Sequence, residues 1–159
     1  MTLTDPPEED ATQADAFRMR DYPFAHLLAV HRPHFNNMSR ALRRHDVTPQ
    51  MWRVLAGLTA EDGQSVGDLA RVTATERSNL SRILDAMEGS NLIRRLSLER
   101  DKRFAQVFLT DAGRAKHTEI LPTVREQYDF ALRGLTRQDI DTLVALLRRI
   151  KENLGHIPD

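Results

Sequence analysis

Arg77, Ser78, Ser81 and Arg82 are spaced so that one helical face would gather them, since 77/81 and 78/82 are four residues apart and 78/81 three. A guanidinium can donate two parallel hydrogen bonds to guanine, and a serine hydroxyl suits a base edge or a phosphate oxygen. Asn79, at the margin of that face, has the amide geometry for a bidentate contact to adenine. Leu80, Ile83, Leu84 and Met87 fall on the other side, so the spacing predicts an amphipathic helix running to about Glu88 and opening at Thr75, which joins the candidate DNA contacts. A second group, Arg100, Asp101, Lys102 and Arg103, sits in a charged stretch between two extended runs. An arginine on a ribbon tip can enter the narrow, electronegative minor groove of a duplex, and a carboxylate two residues before Arg103 can hold its guanidinium in one orientation beforehand. Each pattern alone also describes a solvated surface; together they point to double-stranded nucleic acid.

Other chemistries find less support. The chain has no cysteine, which excludes disulfides, thiolate metal sites, a cysteine nucleophile and a thiol redox switch. There is no Gly-rich phosphate loop, no His-x-x-x-His and no serine in a strand-turn-helix elbow, so neither an enzyme nor a bound cofactor is expected. His31 and His34 are three apart on one predicted helix, but no carboxylate lies within a turn of either, and no metal site is expected. The 159 residues carry 23 basic and 23 acidic side chains, an average that hides a skew. Residues 1–21 have two arginines against six carboxylates, a net −4, which leaves +4 on the remainder. With 40% hydrophobic residues, the length suits one compact domain with a small appendage. No apolar run approaches the roughly 18 residues of a membrane span, and no basic stretch leads into an apolar one at the N-terminus, so a soluble cytoplasmic protein without a secretory signal is expected.

Several elements must position these groups. After an acidic arm containing Pro6-Pro7, apolar residues from Phe24 to Leu42 recur at helical spacing, with Pro33 predicted to bend the helix rather than divide it. Thr48-Pro49 reads as a helix start burying Met51, Val54, Leu55 and Leu58, and Glu61-Asp62-Gly63 as the turn that ends it. Ser65 and Asp68 resemble a capping box opening a short helix that buries Val66, Leu69 and Ala70. The Arg/Ser helix follows, closed by Asn91, a residue that tolerates positive φ. Strands are expected at 92–98 and 104–110, the second with Ala105, Val107 and Leu109 alternating against Gln106, Phe108 and Thr110. Thr110 caps a long helix containing Pro122, and Thr136 starts a last one with Ile140, Leu143, Val144, Leu147, Ile150 and Leu154 on one stripe. The order predicts a mainly α protein: a winged helix-turn-helix with a two-stranded β wing between long N- and C-terminal helices.

Asp101-Lys102-Arg103 followed by Val107-Phe108-Leu109-Thr110-Asp111-Ala112-Gly113-Arg114 resembles the wing and next helix start of the multiple-antibiotic-resistance regulator (MarR) family. Residues 78–88 are similar to that family's recognition helix, and 135–150 to its last helix. Asn91 stands where the family commonly has Gly, and the absent cysteine sets the chain apart from the thiol-sensing branch. The resemblance implies a DNA-binding transcription regulator, a repressor of a catabolic or efflux operon that acts as a homodimer on a pseudo-palindromic operator. It also implies a small-molecule effector, often an aromatic anion, held between the dimerisation helices and the DNA-binding lobe.

The apolar stripes of the first and last two helices exceed what one winged-helix domain would bury. A dimer packed through them would set two recognition helices about 34 Å apart, one turn of DNA. The expected division is a flexible arm at 1–21, a dimerisation helix at 22–47, a DNA-binding lobe at 48–110 and dimerisation helices at 111–159. Effector candidates are His31, Arg32 and His34 on the first helix with Trp52 and Arg53 on the second. Trp52-Arg53 offers a flat apolar wall beside a permanent cation, suited to an aromatic acid or its coenzyme A thioester, although Trp52 as core and Arg53 as a surface residue or phosphate contact fits at least as well. The alternative function is a winged-helix module that mediates protein contacts without sequence-specific DNA binding; it would not need Arg77, Arg82 and Arg103.

Overall fold

The computed structural model describes residues 18–96 and 105–155. The expected wing tip, with Arg100, Asp101, Lys102 and Arg103, lies outside the described residues, as does nearly all of the acidic arm. Two compact units meet between Phe35 and Asn36. In the first, a single 3-10 turn, Met19–Asp21, leads into the start of α1. There the His26 ring nitrogen lies 2.6 Å from the Arg20 carbonyl, and Tyr22 packs against Phe24 with ring centroids 5.4 Å apart.

The helices are α1 (Pro23–Leu42), α2 (Pro49–Ala60), α3 (Val66–Val72), α4 (Arg77–Gly89), α5 (Asp111–Ala131) and α6 (Arg137–Leu154). Pro33 and Pro122 both lie inside helices that continue past them. The expected caps are in place: Thr48 accepts from Met51 N–H, Ser65 from Asp68 N–H, Thr110 from Gly113 N–H and Thr136 from Asp139 N–H. The start of α4 differs from expectation. Glu76, not Thr75, precedes its first turn, because the Thr75 hydroxyl donates to the Thr73 carbonyl and its N–H bonds Ala70. That turn needs Ala74 at φ 48°, a left-handed residue that the composition does not announce.

Strands β1 (Gln64–Ser65), β2 (Ile93–Leu96) and β3 (Gln106–Leu109) form an antiparallel sheet in the order β1-β3-β2. The two expected wing strands pair Ile93 with Leu109 and Leu96 with Gln106, and the sheet gains β1 as a third strand along the far edge of β3. Gln64 is buried, its amide donating to the Gly57 and Glu61 carbonyls at 2.9 and 2.8 Å, which explains a polar residue at this place.

The second unit has one core. Leu42, Leu55, Leu58, Leu69, Leu80, Leu84, Met87, Val107 and Ile120 have no solvent exposure and form one cluster. The alternation of β3 holds as read, with Ala105, Val107 and Leu109 buried and Gln106 exposed. At the start of α5 the chain passes very close to β2: a Cβ at Gly113 would lie 2.0 Å from the Leu92 carbonyl oxygen, so only glycine fits. The end of α1 is fixed to α5 by Arg44 donating to Thr123 Oγ1 at 2.8 Å and by His45 Nδ1, 2.7 Å from Glu119 Oε1. Helix α6 buries none of its residues. No helix among the described residues is long and apolar enough to cross a membrane.

Candidate nucleic-acid interface

The first turn of α3 carries the local electrostatics. Ser65 Oγ donates to Asp68 Oδ2 at 2.7 Å, and Arg71 pairs with the same carboxylate. The Ser65 hydrogen bond holds the Asp68 carboxyl below its ordinary range against desolvation, with Arg71 and Arg77 adding their charge. The four residues 73–76 then turn the chain from α3 into α4, with Thr73 Oγ1 donating to the Leu69 carbonyl at 2.6 Å.

Helix α4 is split as its spacing requires. Leu80, Leu84 and Met87 are buried and Ile83 packs partly against them, while Arg77, Ser78, Asn79, Ser81 and Arg82 are all exposed. Ser81 Oγ donates back to the Arg77 carbonyl at 3.1 Å, which leaves its lone pairs as acceptors. Ser78, Asn79 and Arg82 have no hydrogen-bond partner among the described residues, so their polar ends are available to a ligand. Thr75 is half-buried and committed to the turn. Five of the six helix candidates thus share an exposed polar surface. A helix with this division can lay its charged side in a major groove without uncovering its core.

The base of the wing is braced in ways that sequence reasoning missed. Arg95 on β2 donates from its backbone N–H and its Nε to the two carboxylate oxygens of Glu88, each at 2.9 Å, and pairs with Asp85. This fork ties the first wing strand to the last turns of α4. Arg94 is exposed on the same strand, its guanidinium 5.3 Å from the Phe108 ring centroid. Asp62 accepts from Leu109 N–H at 2.9 Å and from Arg114 Nη2 at 2.5 Å, joining the α2 turn, the wing and α5. The only sequence signal was Asp62-Gly63 as a turn; its partners lie 47 and 52 residues away.

The effector candidates divide. His31, Arg32 and His34 are exposed in the first unit, His31 stacking on Phe35 at 6.1 Å. In the second, Trp52 packs against the core and stacks on His117 of α5, ring centroids 5.2 Å apart and nearly parallel. Burial pushes the His117 imidazole below its ordinary pKa. Arg53 Nε is buried without a hydrogen-bond partner. None of these five lines the open groove of about 880 Å³ between the end of α1 and α5, where Arg40, Arg44, Arg125 and Arg133 outnumber Glu126 and Asp129. Among the described residues no three His, Asp or Glu side chains are grouped to hold a metal ion.

The MarR family model matches residues 47–104, from the end of the loop before α2 to the wing. The transcriptional activatory protein BadR of Rhodopseudomonas palustris is 33% identical over 127 residues, spanning 76% of this chain and 71% of that protein. The homoprotocatechuate degradative operon repressor of Escherichia coli is 29% identical over 106 residues, spanning 67% of this chain and 72% of the repressor. Among solved structures, a MarR-family transcriptional regulator from Silicibacter pomeroyi superposes with a TM-score of 0.76 at 27% identity, covering 89% of this chain and 96% of that one.

Proposed function

Because the chain belongs to the MarR family of DNA-binding transcription regulators, which are not enzymes, we propose that it acts as a homodimeric repressor released from a pseudo-palindromic operator by a small aromatic acid or its coenzyme A thioester. The observation that carries the DNA-binding part is α4, whose apolar side is sealed into the core while Arg77, Ser78, Asn79, Ser81 and Arg82 stand exposed together. In this reading residues 48–110 form the DNA-binding lobe, 22–47 and 111–159 serve the dimer, and Arg100, Asp101, Lys102 and Arg103 reach the minor groove beside each half-site. Arg94 adds a cation at the wing base.

Dimerisation is supported by α6, an eighteen-residue helix with no buried side chain and a continuous apolar stripe. The effector reading is supported by the flat Trp52–His117 stack and by the unpartnered Arg53 Nε, a donor that a carboxylate or thioester oxygen would satisfy. His31, Arg32 and His34 are kept as contributors from α1. A relative named for repressing a homoprotocatechuate degradative operon favours aromatic catabolism over efflux as the controlled process. The site of action is the cytoplasm.

Selection of duplexes from a randomised pool by the full-length protein tests the reading. The expected product is two inverted half-sites about one helical turn apart, bound with a steep salt dependence. Failure to enrich any sequence would favour a protein-interaction module instead. Thermal-shift screening with benzoate-type acids and their coenzyme A thioesters tests the effector: a true ligand at a hundred times its Kd adds roughly 2.7 kcal/mol to the folded state. Substitution of Trp52 by alanine should remove that shift.

A further inference from the structure

Two carboxylates lie on the side of α4 that carries its exposed polar residues. Ser78, Ser81, Asp85 and Glu88 follow one another at intervals of three, four and three residues, so they share one exposed stripe, with Arg82 beside it. Laid along a duplex, such a stripe would set two negative charges toward the phosphates, where like charges repel. Arg95 meets both carboxylates. Its Nε donates to Glu88 Oε2 at 2.9 Å, its backbone N–H donates to Glu88 Oε1 at 2.9 Å, and its Nη2 donates to Asp85 Oδ1. Burial of the Arg95 side chain works against its charge, yet the hydrogen bonds to Asp85 and Glu88 outweigh that cost and raise the guanidinium above its ordinary pKa. Arg82 has no hydrogen bond or ion pair among the described residues, although a carboxylate three residues along a helix is an ordinary partner for an arginine. That carboxylate, Asp85, is already taken by Arg95.

We infer that Arg95 is a positioning residue that neutralises Asp85 and Glu88 on the DNA-facing side of α4 and so leaves Arg82 unpaired for the duplex. The inference rests on α4 as the recognition helix and adds what keeps its acidic end from opposing the DNA. Arg95 acts through the two carboxylates rather than on the duplex. A neutral residue in its place would leave both charges facing the phosphates and Asp85 free to draw Arg82 back along the helix. Removing the carboxylates as well would remove the need for Arg95.

The full-length protein is titrated by fluorescence anisotropy, at several salt concentrations, with the duplex that it selects from a randomised pool. The proteins compared are the wild type, Arg95→Gln, the pair Asp85→Asn with Glu88→Gln, and all three substitutions together, each with its melting temperature. Arg95→Gln is expected to bind about tenfold more weakly at low salt, a deficit that shrinks as salt screens the two uncovered charges. The triple variant should return to within about twofold of wild-type affinity, and the carboxylate pair variant should bind at least as tightly as the wild type. A residue that only braced the wing, or that touched a phosphate itself, would leave the triple variant as weak as Arg95→Gln. That result, or a deficit unchanged by salt, would overturn the inference and leave the recognition helix standing. Weaker binding by the carboxylate pair variant would overturn it too, and that measurement holds even where Arg95→Gln does not fold. Wild-type binding by Arg82→Ala would instead remove the reading role of Arg82, and the inference with it.

Discussion

In α4 the apolar residues Leu80, Leu84 and Met87 have no solvent exposure, whereas in α6 Leu143, Val144, Leu146 and Leu154 remain 40–53% exposed and nothing is buried. Both helices are amphipathic, and both were legible as such from spacing alone. The difference lies in what the rest of the chain supplies. Helix α4 meets α3, β2 and the Leu55–Leu58 face of α2, so its apolar side is completed internally and its polar side is left for a ligand. Helix α6 has a strong N-terminal capping box, in which Thr136 and Asp139 satisfy each other's backbone donors, but among the described residues nothing covers its apolar stripe. One helix is finished by its own polypeptide; the other keeps an apolar stripe that, in the proposed dimer, the same helix of another copy would cover.

The largest effect that could break this contrast is in α6. Leu143→Glu would place an unpaired carboxylate in the interface of each copy, costing about 3–5 kcal/mol per charge. Sedimentation velocity should then show monomers at concentrations where the wild type is dimeric; an unchanged dimer would mean that α6 is not the joining surface. Next is Leu84→Ala in α4, which removes a fully buried side chain and should lower stability by about 2–5 kcal/mol in urea denaturation. A loss below 1 kcal/mol would show that α4 is not sealed as described. Smaller still, Arg82→Ala should leave stability intact and cost about 1–3 kcal/mol of operator binding, confined to particular base pairs. An equal loss on all duplexes would reassign Arg82 to phosphate contact.

The smallest effect concerns pH. The His117 imidazole sits below its ordinary pKa of 6.5 because burial disfavours the cation. At pH 7 and above the ring is neutral in folded and unfolded chains alike, and no penalty applies. As pH falls through 6.5 the unfolded chain binds the proton first, so stability declines until the depressed folded pKa is reached, then levels off. The melting temperature should therefore drop between pH 7 and pH 5, and drop less in His117→Gln. An identical decline in the variant would exclude His117 as the cause.

Local chemistry was what the sequence announced well. Thr48-Pro49, Ser65, Thr110 and Thr136 cap helices because a side-chain oxygen two or three residues from an unpaired N–H needs no help from elsewhere. Asn91 takes φ 56° for an equally local reason. Thr75 misled because the same side chain had a nearer acceptor in the turn, the Thr73 carbonyl. Strand β1 is two residues long and exists only because β3 offers an edge, so no pattern within 64–65 could reveal it. The Arg95–Glu88 fork crosses from a strand back to a helix seven residues earlier and Asp62 meets Arg114 across 52 residues, and charged residues off any helical or strand period have many possible partners. On the candidate interface, spacing placed the polar side of α4 where the structure exposes it.

The close approach of Gly113 to the Leu92 carbonyl has a mechanical consequence. At that point α5 is seated on the root of the wing with no space for even one carbon atom, and Arg114 in the next position is clamped by Asp62. The junction is therefore a weld rather than a hinge. Any rotation of the start of α5 that kept these two contacts would have to carry the root of the wing with it.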